Sequence, residues 1–299
     1  MHSVEDAKLV CIGGGHGLGR LLASLKDAGP NLTGIVATTD DGGSTGRLRE
    51  EAETIAWGDL RNCLTQMCSS QTVGTLLFDY RFQTQGDLNG HNLGNLVLFA
   101  LEQLSVRPTD AIEVIRDMLR IESHLYPMSD TPTSLMAKTV KTSSGGGNIL
   151  VGEIVIDDSE EEIDSLYLEP QVNAEIEAIQ SIMSADAIVL SAGSFMTSIM
   201  PSLLVANIVK SINETSASLI LVVNLRQEIL GGRALTFAKQ LELLQAAGIR
   251  KLDYILWPTC REHEMEPSAE MNIIDCDMGP ADSALHDSEK LKKQILELI

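Results

Sequence analysis

Lys8-Leu9-Val10-Cys11-Ile12-Gly13-Gly14-Gly15-His16-Gly17-Leu18-Gly19-Arg20-Leu21-Leu22 is the stretch on which the fold turns. Its first five residues are a short apolar run that glycines end at once. From Leu18 onward apolar residues recur at helical spacing, through Leu21, Leu22 and Leu25. Strand, glycine turn and helix follow from that pattern. The next run, Leu32-Thr33-Gly34-Ile35-Val36-Ala37-Thr38, is β-branched and closes on Asp40-Asp41-Gly42-Gly43, which completes a parallel βαβ unit with a right-handed crossover.

Working outward, the pattern turns helical over 59–68, 72–82, 94–105 and 108–119, the last opening on Pro108 as a first-turn proline does. Residues 135–141 and 149–156 then read as an antiparallel pair joined by Thr142-Ser143-Ser144-Gly145-Gly146-Gly147-Asn148. Alternation resumes with helices over 172–184, 201–214, 236–247 and 287–298 and strands at 187–190, 218–224, 253–257 and 272–275. The expected fold is α/β: a doubly wound, Rossmann-like, mostly parallel sheet. It forms a single domain over 1–299, with a helical insertion at about 59–119 and a small β-hairpin region.

The net charge of −20 repels nucleic-acid backbones and anionic lipid surfaces, so neither is an expected partner. Cysteines 11, 63, 68, 260 and 276 form no C-x-x-C and read as reduced thiols of a cytoplasmic protein. Residues 1–6 carry no basic lead, and no apolar run approaches the ~20 residues of a membrane span. The acidic run 157–164 lacks the ligand and glycine spacing of a calcium loop and reads as a solvated connection.

Between a strand and a helix, Gly13, Gly14, Gly15, His16 and Gly17 let backbone N–H groups approach an anion at the positive end of the helix dipole. Neither G-x-G-x-x-G nor G-x-x-x-x-G-K-[ST] is met, which argues against a plain dehydrogenase or a P-loop NTPase. The second loop supplies Thr39, Asp40, Asp41, Gly42, Gly43, Ser44 and Arg47 (or Arg49) to the same crevice. Asp40 and Asp41 are the candidates to hold Mg²⁺ or to take a proton from an attacking hydroxyl, with arginine neutralising phosphate. Asp59, Arg61 and Asn62 in one cluster, and His91 and Asn95 in another, sit at helix starts; His16 and His91 can donate to phosphate. Gly193 and Ser194, again between strand and helix, offer a second phosphate or ribose site.

Taken in order, GGGHGLG, TTDDGGSTGRLR, WGDLRNCL, GHNLGNL and SAGSFMTSIMPSLL resemble the gluconeogenesis factor family, in the superfamily of 2-phospho-L-lactate transferase. The resemblance spans residues 8 to about 260. It implies a cytoplasmic nucleotide or nucleotide-sugar binding protein linked to carbon metabolism and to cell shape and envelope synthesis. The alternative it implies is a Mg²⁺-dependent transferase that takes a phosphate-linked group from a nucleoside diphosphate donor. A small nucleotide ligand is the expected partner, and a homodimer is an open alternative. Two places depart from the family pattern. Ser191-Ala192-Gly193-Ser194 stands where members often read Gly-Pro-Gly-Ser, and Arg226-Gln227-Glu228-Ile229-Leu230-Gly231 stands in place of Thr-Gln-Pro-Gly-Glu-Thr.

Overall fold

The computed structural model describes residues 6–68, 72–104, 107–141, 147–264, 271–280, 282–283 and 285–299. Part of the expected connection, 142–146, lies outside them, as do residue 105 at the end of one expected helix and residues 1–5. Seven strands form the main sheet: β1 (Leu9–Gly13), β2 (Leu32–Val36), β3 (His124–Pro127), β7 (Ala187–Leu190), β8 (Ser218–Val222), β11 (Tyr254–Pro258) and β12 (Ile273–Cys276). Their order is β12-β11-β8-β7-β1-β2-β3, and every pairing is parallel. The chain therefore winds outward from β1 through β2 to β3, then returns to β7 on the other side of β1 and winds the opposite way. That reversal is the topological switch point, and ligands of open α/β sheets bind at the carboxyl ends of the strands beside it.

Both sheet faces are covered, which is why these strands read as continuous apolar runs. Val10, Ile12, Ile35, Ile188, Leu190, Leu219 and Leu221 point into one layer. Leu9, Cys11, Leu32, Val36, Ala187, Val189, Ile220 and Val222 point into the other. The second layer is built by α1 (Gly15–Leu25), α3 (Trp57–Met67), α6 (Pro108–Leu119) and α12 (Ser288–Leu296), through residues such as Leu22, Trp57, Ile112 and Ile295. Each such fully buried aliphatic side chain contributes about 1.5–3 kcal/mol by leaving water. Two further helices complete the helical block: α4 (Val73–Asp79), capped by Thr72, and α5 (Leu93–Gln103), capped by Asn92. The loop after β2 also contains a helix that the sequence pattern does not announce, α2 (Gly43–Glu51).

The other face carries a small antiparallel sheet, β4 (Ser134–Thr139) between β5 (Ile149–Val151) and β6 (Ile163–Glu169). Here the structure corrects the sequence reading. The strand expected over 149–156 stops at Val151, because Gly152 turns the chain at φ 89° and α7 (Glu153–Asp158) begins. Ile156 of α7 is buried in the core, and the carboxylate of Asp41 caps the helix start by accepting the Ile154 N–H at 3.1 Å. The acidic run is accordingly split between a helix, a short connection and β6.

Helix α8 (Ile176–Ser184) packs on this face too, and the helix expected over 201–214 is broken. One piece, α9, runs over Phe195–Leu203 with a π turn through Ile199; α10 covers Ala206–Glu214, and the two meet at 77°. Among the described residues no single helix is long and apolar enough to cross a membrane. This bent pair passes on length and composition, and its Phe195, Met200, Leu203, Ile208 and Ile212 are core residues. A two-stranded ribbon, β9 (Ile229–Leu230) with β10 (Arg233–Ala234), and α11 (Phe237–Ala246) close the layer.

Candidate functional site

Two strand-to-helix turns lie side by side at the switch point, one after β1 and one after β7, with Ser191 N–H bonded to the carbonyl of Ile12 at 2.9 Å. A side chain has no room in the first. A Cβ on Gly17 would stand 2.0 Å from the backbone oxygen of Ala192, and one on Gly13 would stand 2.0 Å from Ser191 Oγ. Gly15 has φ 57°, a left-handed conformation that favours glycine. The turn thus presents the first-turn N–H groups of α1, which have no acceptor within the helix. Gly15 N–H goes to Asp59; no hydrogen bond to the N–H of His16 or Gly17 is present among the described residues.

These groups open on a cavity of about 650 Å³. Gly14, Gly15, His16, Gly17 and Arg20 form one wall, Gly193, Ser194 and Ser198 the next, and residues 224–230 with Asp157 and Asp158 the third. Leu285, His286 and Leu291 complete it, and the Arg20 guanidinium donates to the His286 carbonyl at 3.2 Å.

Behind the glycine turn lies a group of carboxylates from three different elements. A Cβ on Gly14 would meet Asp59 Oδ2 at 2.5 Å, and one on Gly58 would meet Asp40 Oδ2 at 3.1 Å and Thr45 Oγ1 at 2.6 Å. Asp40 accepts the Gly42 N–H at 2.9 Å and the Thr45 hydroxyl, yet burial still raises it above the usual carboxylate range. Burial, reinforced by the nearby Asp40, pushes Asp59 up to about 7. Glu153, bonded to the Thr197 hydroxyl, is pushed up to about 9 by burial and then by Asp40, Asp59 and Asp157. Burial also lifts Asp157 to about 6. Such raised values arise where acids crowd together in a cleft, a pattern common at functional sites.

The second loop is arranged differently from the sequence expectation. Asp40 and Asp41 turn to different partners: Asp40 lies toward Asp59, while Asp41 caps α7, with an oxygen against Gly152. The Arg49 guanidinium is engaged by backbone carbonyls. It grips the carbonyls of Thr39 at 2.9 Å, Asp40 at 3.0 Å and Thr133 at 2.6 Å, and so fixes the loop. Arg47 reaches the Asp87 carbonyl at 3.4 Å, away from the cavity wall, and Arg61 pairs with Asp79 at 2.7 Å.

Ser44 Oγ lies 3.1 Å from His91 Nδ1 and accepts the Asn92 N–H at 3.3 Å, which ties the start of α2 to that of α5. Burial and then the neighbouring Arg47 lower the His91 pKa, which favours the neutral ring in this joint. Asn62 Nδ2 and Asn95 Oδ1 are buried without a partner, as are the hydroxyls of Thr38 and Thr39. Gly42 and Gly43 open α2. Glu153, Asp157 and Glu228 escaped the sequence reading. The sequence touched two of them only in passing, Asp157 as the first residue of the acidic run read as a solvated connection and Glu228 within the departure at 226–231 from the family pattern.

Comparison with known proteins agrees with this architecture. The sequence model of one family, described as 2-phospho-L-lactate transferase CofD, matches residues 9–299. A protein of Vibrio cholerae named as a gluconeogenesis factor is 43% identical over 303 residues, covering 99% of each chain. The gluconeogenesis factor of Listeria monocytogenes is 37% identical over 230 residues, 77% of this chain and 70% of that one. A crystal structure of a UPF0052-family protein from Bacillus halodurans superposes with a TM-score of 0.85 at 27% identity, covering 97% of this chain and 99% of that one. With the match running from β1 through α12 and the relatives aligned over most of its length, the chain belongs to the 2-phospho-L-lactate transferase CofD family, among relatives named as gluconeogenesis factors.

Proposed function

We propose that the protein is a cytoplasmic binder of a nucleotide or nucleotide-sugar whose phosphate sits on the turn after β1. The observation that carries this reading is the pair of open N–H groups, His16 and Gly17, at the start of α1, facing a 650 Å³ cavity beside Arg20. The end lined by Leu21, Leu225, Leu285 and Leu291 suits an apolar or aromatic group such as a base. In this reading the protein reports a metabolite level through occupancy of the crevice, which connects it to carbon metabolism and envelope synthesis.

A divalent cation fits beside the same turn. Asp40 and Asp59 come from separate elements to one place, where burial raises both and the charge of Asp40 adds to the rise of Asp59, and a cation there would stabilise both as carboxylates. Among the described residues no group of three or more His, Cys, Asp or Glu is arranged to hold a metal. Mg²⁺ needs no such cage, since it takes one or two carboxylates and fills its remaining positions with water and phosphate oxygens. A thermal-shift panel of nucleotides and nucleotide-sugars, with and without Mg²⁺, tests the reading. A ligand at a hundred times its Kd adds about 2.7 kcal/mol of stability. The reading falls if no phosphate-bearing compound moves the melting point.

The second reading is a transferase, favoured by Asp59 behind the phosphate turn, whose value of about 7 lets it take or give a proton near neutral pH. An acceptor hydroxyl oxygen would attack phosphorus of a nucleoside diphosphate-linked donor, its proton passing to a carboxylate as the bond to the departing mononucleotide breaks. Mononucleotide released from a donor panel by the wild type, and lost in Asp40→Asn and Asp59→Asn, supports catalysis. No release from any donor that binds leaves the binder.

A further inference from the structure

The turn after β7 has the ingredients of an anion receptor, and one of the chain's own carboxylates fills it. Phe195 N–H, at the start of α9, points at Glu228 and lies 2.9 Å from Oε2 and 3.2 Å from Oε1. The Ser194 hydroxyl donates to Oε1 at 2.7 Å. This placement is braced from both sides. Asn224 buckles the two loops together, accepting the Gly193 N–H at 3.1 Å and donating to the Gly193 carbonyl at 2.7 Å. Thr197 Oγ1 lies 2.7 Å from Ser194 Oγ and 3.3 Å from Asp157 Oδ2. Glu228 also lines the 650 Å³ cavity, together with the residues of the open glycine turn. Asp157 lines that cavity too, and its Oδ1 is buried without a partner.

We propose that Glu228 is a specificity-determining residue: its carboxylate takes the second anion receptor and confines the ligand's negative charge to the glycine-turn end of the crevice. The ligand class follows from the oxygens left over. An end that faces Glu228 and Asp157 must be uncharged or cationic and must carry donors, hydroxyls or amines, because a second phosphate there would meet two carboxylates. This rests on the phosphate reading of the first turn, and the experiment below separates the two.

Inorganic phosphate is titrated into the full-length ¹⁵N-labelled chain, with Phe195 N–H reporting the second turn and His16 and Gly17 N–H reporting the first. In the wild type the Phe195 signal stays in place. In Glu228→Ala it shifts saturably, so that phosphate per chain rises by one. Glu228→Ser shortens the side chain out of reach of the Phe195 N–H while keeping a polar group in the loop, and it stands in if the alanine variant does not fold; it too is expected to gain the Phe195 response. The proposal is overturned if Phe195 responds equally in the wild type, or in neither variant while the rest of the spectrum shows a folded chain. Silence at His16 and Gly17 counts against the phosphate reading of the first turn alone, and the Phe195 result still decides the role of Glu228.

Discussion

The turn after β1 and the turn after β7 are built from the same parts: a buried strand, a glycine, and a helix start whose N–H groups have no intrahelical acceptor. Both carry a carboxylate. In the first, Asp59 of α3 takes the Gly15 N–H from behind, is not part of the cavity wall, and leaves His16 and Gly17 open to the cavity. In the second, Glu228 takes Phe195 and Ser194 from the cavity side and closes the receptor. The local sequence makes a turn able to hold an anion. A residue 34 positions away decides whether the second turn is free to do so.

The largest expected effect comes from testing how tightly each turn is packed. Gly17→Ala drives a methyl into the Ala192 carbonyl, backbone against backbone, and should cost about 3 kcal/mol or prevent folding. At Gly193 the nearest atom to an added Cβ is 3.7 Å away, so Gly193→Ala pays only for its φ of 154°, about 1–2 kcal/mol. Urea denaturation of both variants measures the difference, and equal losses would mean that the two turns are packed alike. Gly15→Val is not a clean probe of binding: valine at φ 57° is strained, so loss of ligand and loss of fold would arrive together.

The same contrast sets what could be read in advance. The strands at 9–13, 187–190 and 218–222 were legible because burial on both faces leaves an unbroken apolar run. The helix at Pro108 announced itself by its first-turn proline. Glu153-Ile154-Val155-Ile156 has strand-forming composition, and it becomes helical through Gly152 and a cap supplied by Asp41 from 113 residues away. Glycine turns are visible because their chemistry is local. Glu153 and Asp157 share α7 one turn apart and Glu228 lies about 70 residues on, and only the packing of α7 and the 224–230 loop against the crevice gives them a role.

The next effect sharpens the difference between the two carboxylates through pH. Asp59 at about 7 and Glu153 at about 9 both stand above their unfolded values, so the folded chain binds more protons than the unfolded one between those limits. Stability therefore falls as pH rises from about 4 toward 9, as each carboxyl must give up its proton in a buried, acidic setting. Melting curves across this range should slope downward for the wild type and flatten in Asp59→Asn and Glu153→Gln. The general repulsion of a chain with net charge −20 slopes the same way, so the comparison with the variants is the informative one. A wild-type melting point that rises over this window would contradict the burial assigned to these two groups.

The smallest effect concerns Asp41, whose carboxylate serves α7 while Asp40 of the same loop turns toward Asp59. Because Gly152 has no side chain with which to cap α7, the Asp41 carboxylate does so from outside the helix. Aspartate and asparagine cap comparably, so Asp41→Asn should be nearly silent, whereas Asp41→Ala should cost about 1 kcal/mol. Neither should change phosphate affinity by more than about twofold, since the lost bond is structural and a surface-side cap is worth little to a distant ligand. The measurement pairs a thermal melt with a phosphate titration on the same samples. If Asp41→Asn instead weakens Mg²⁺-dependent binding tenfold at unchanged stability, Asp41 works beside Asp40 after all. The acids behind the glycine turn would then include one from α7's own cap, and α7 would have to shift when ligand enters.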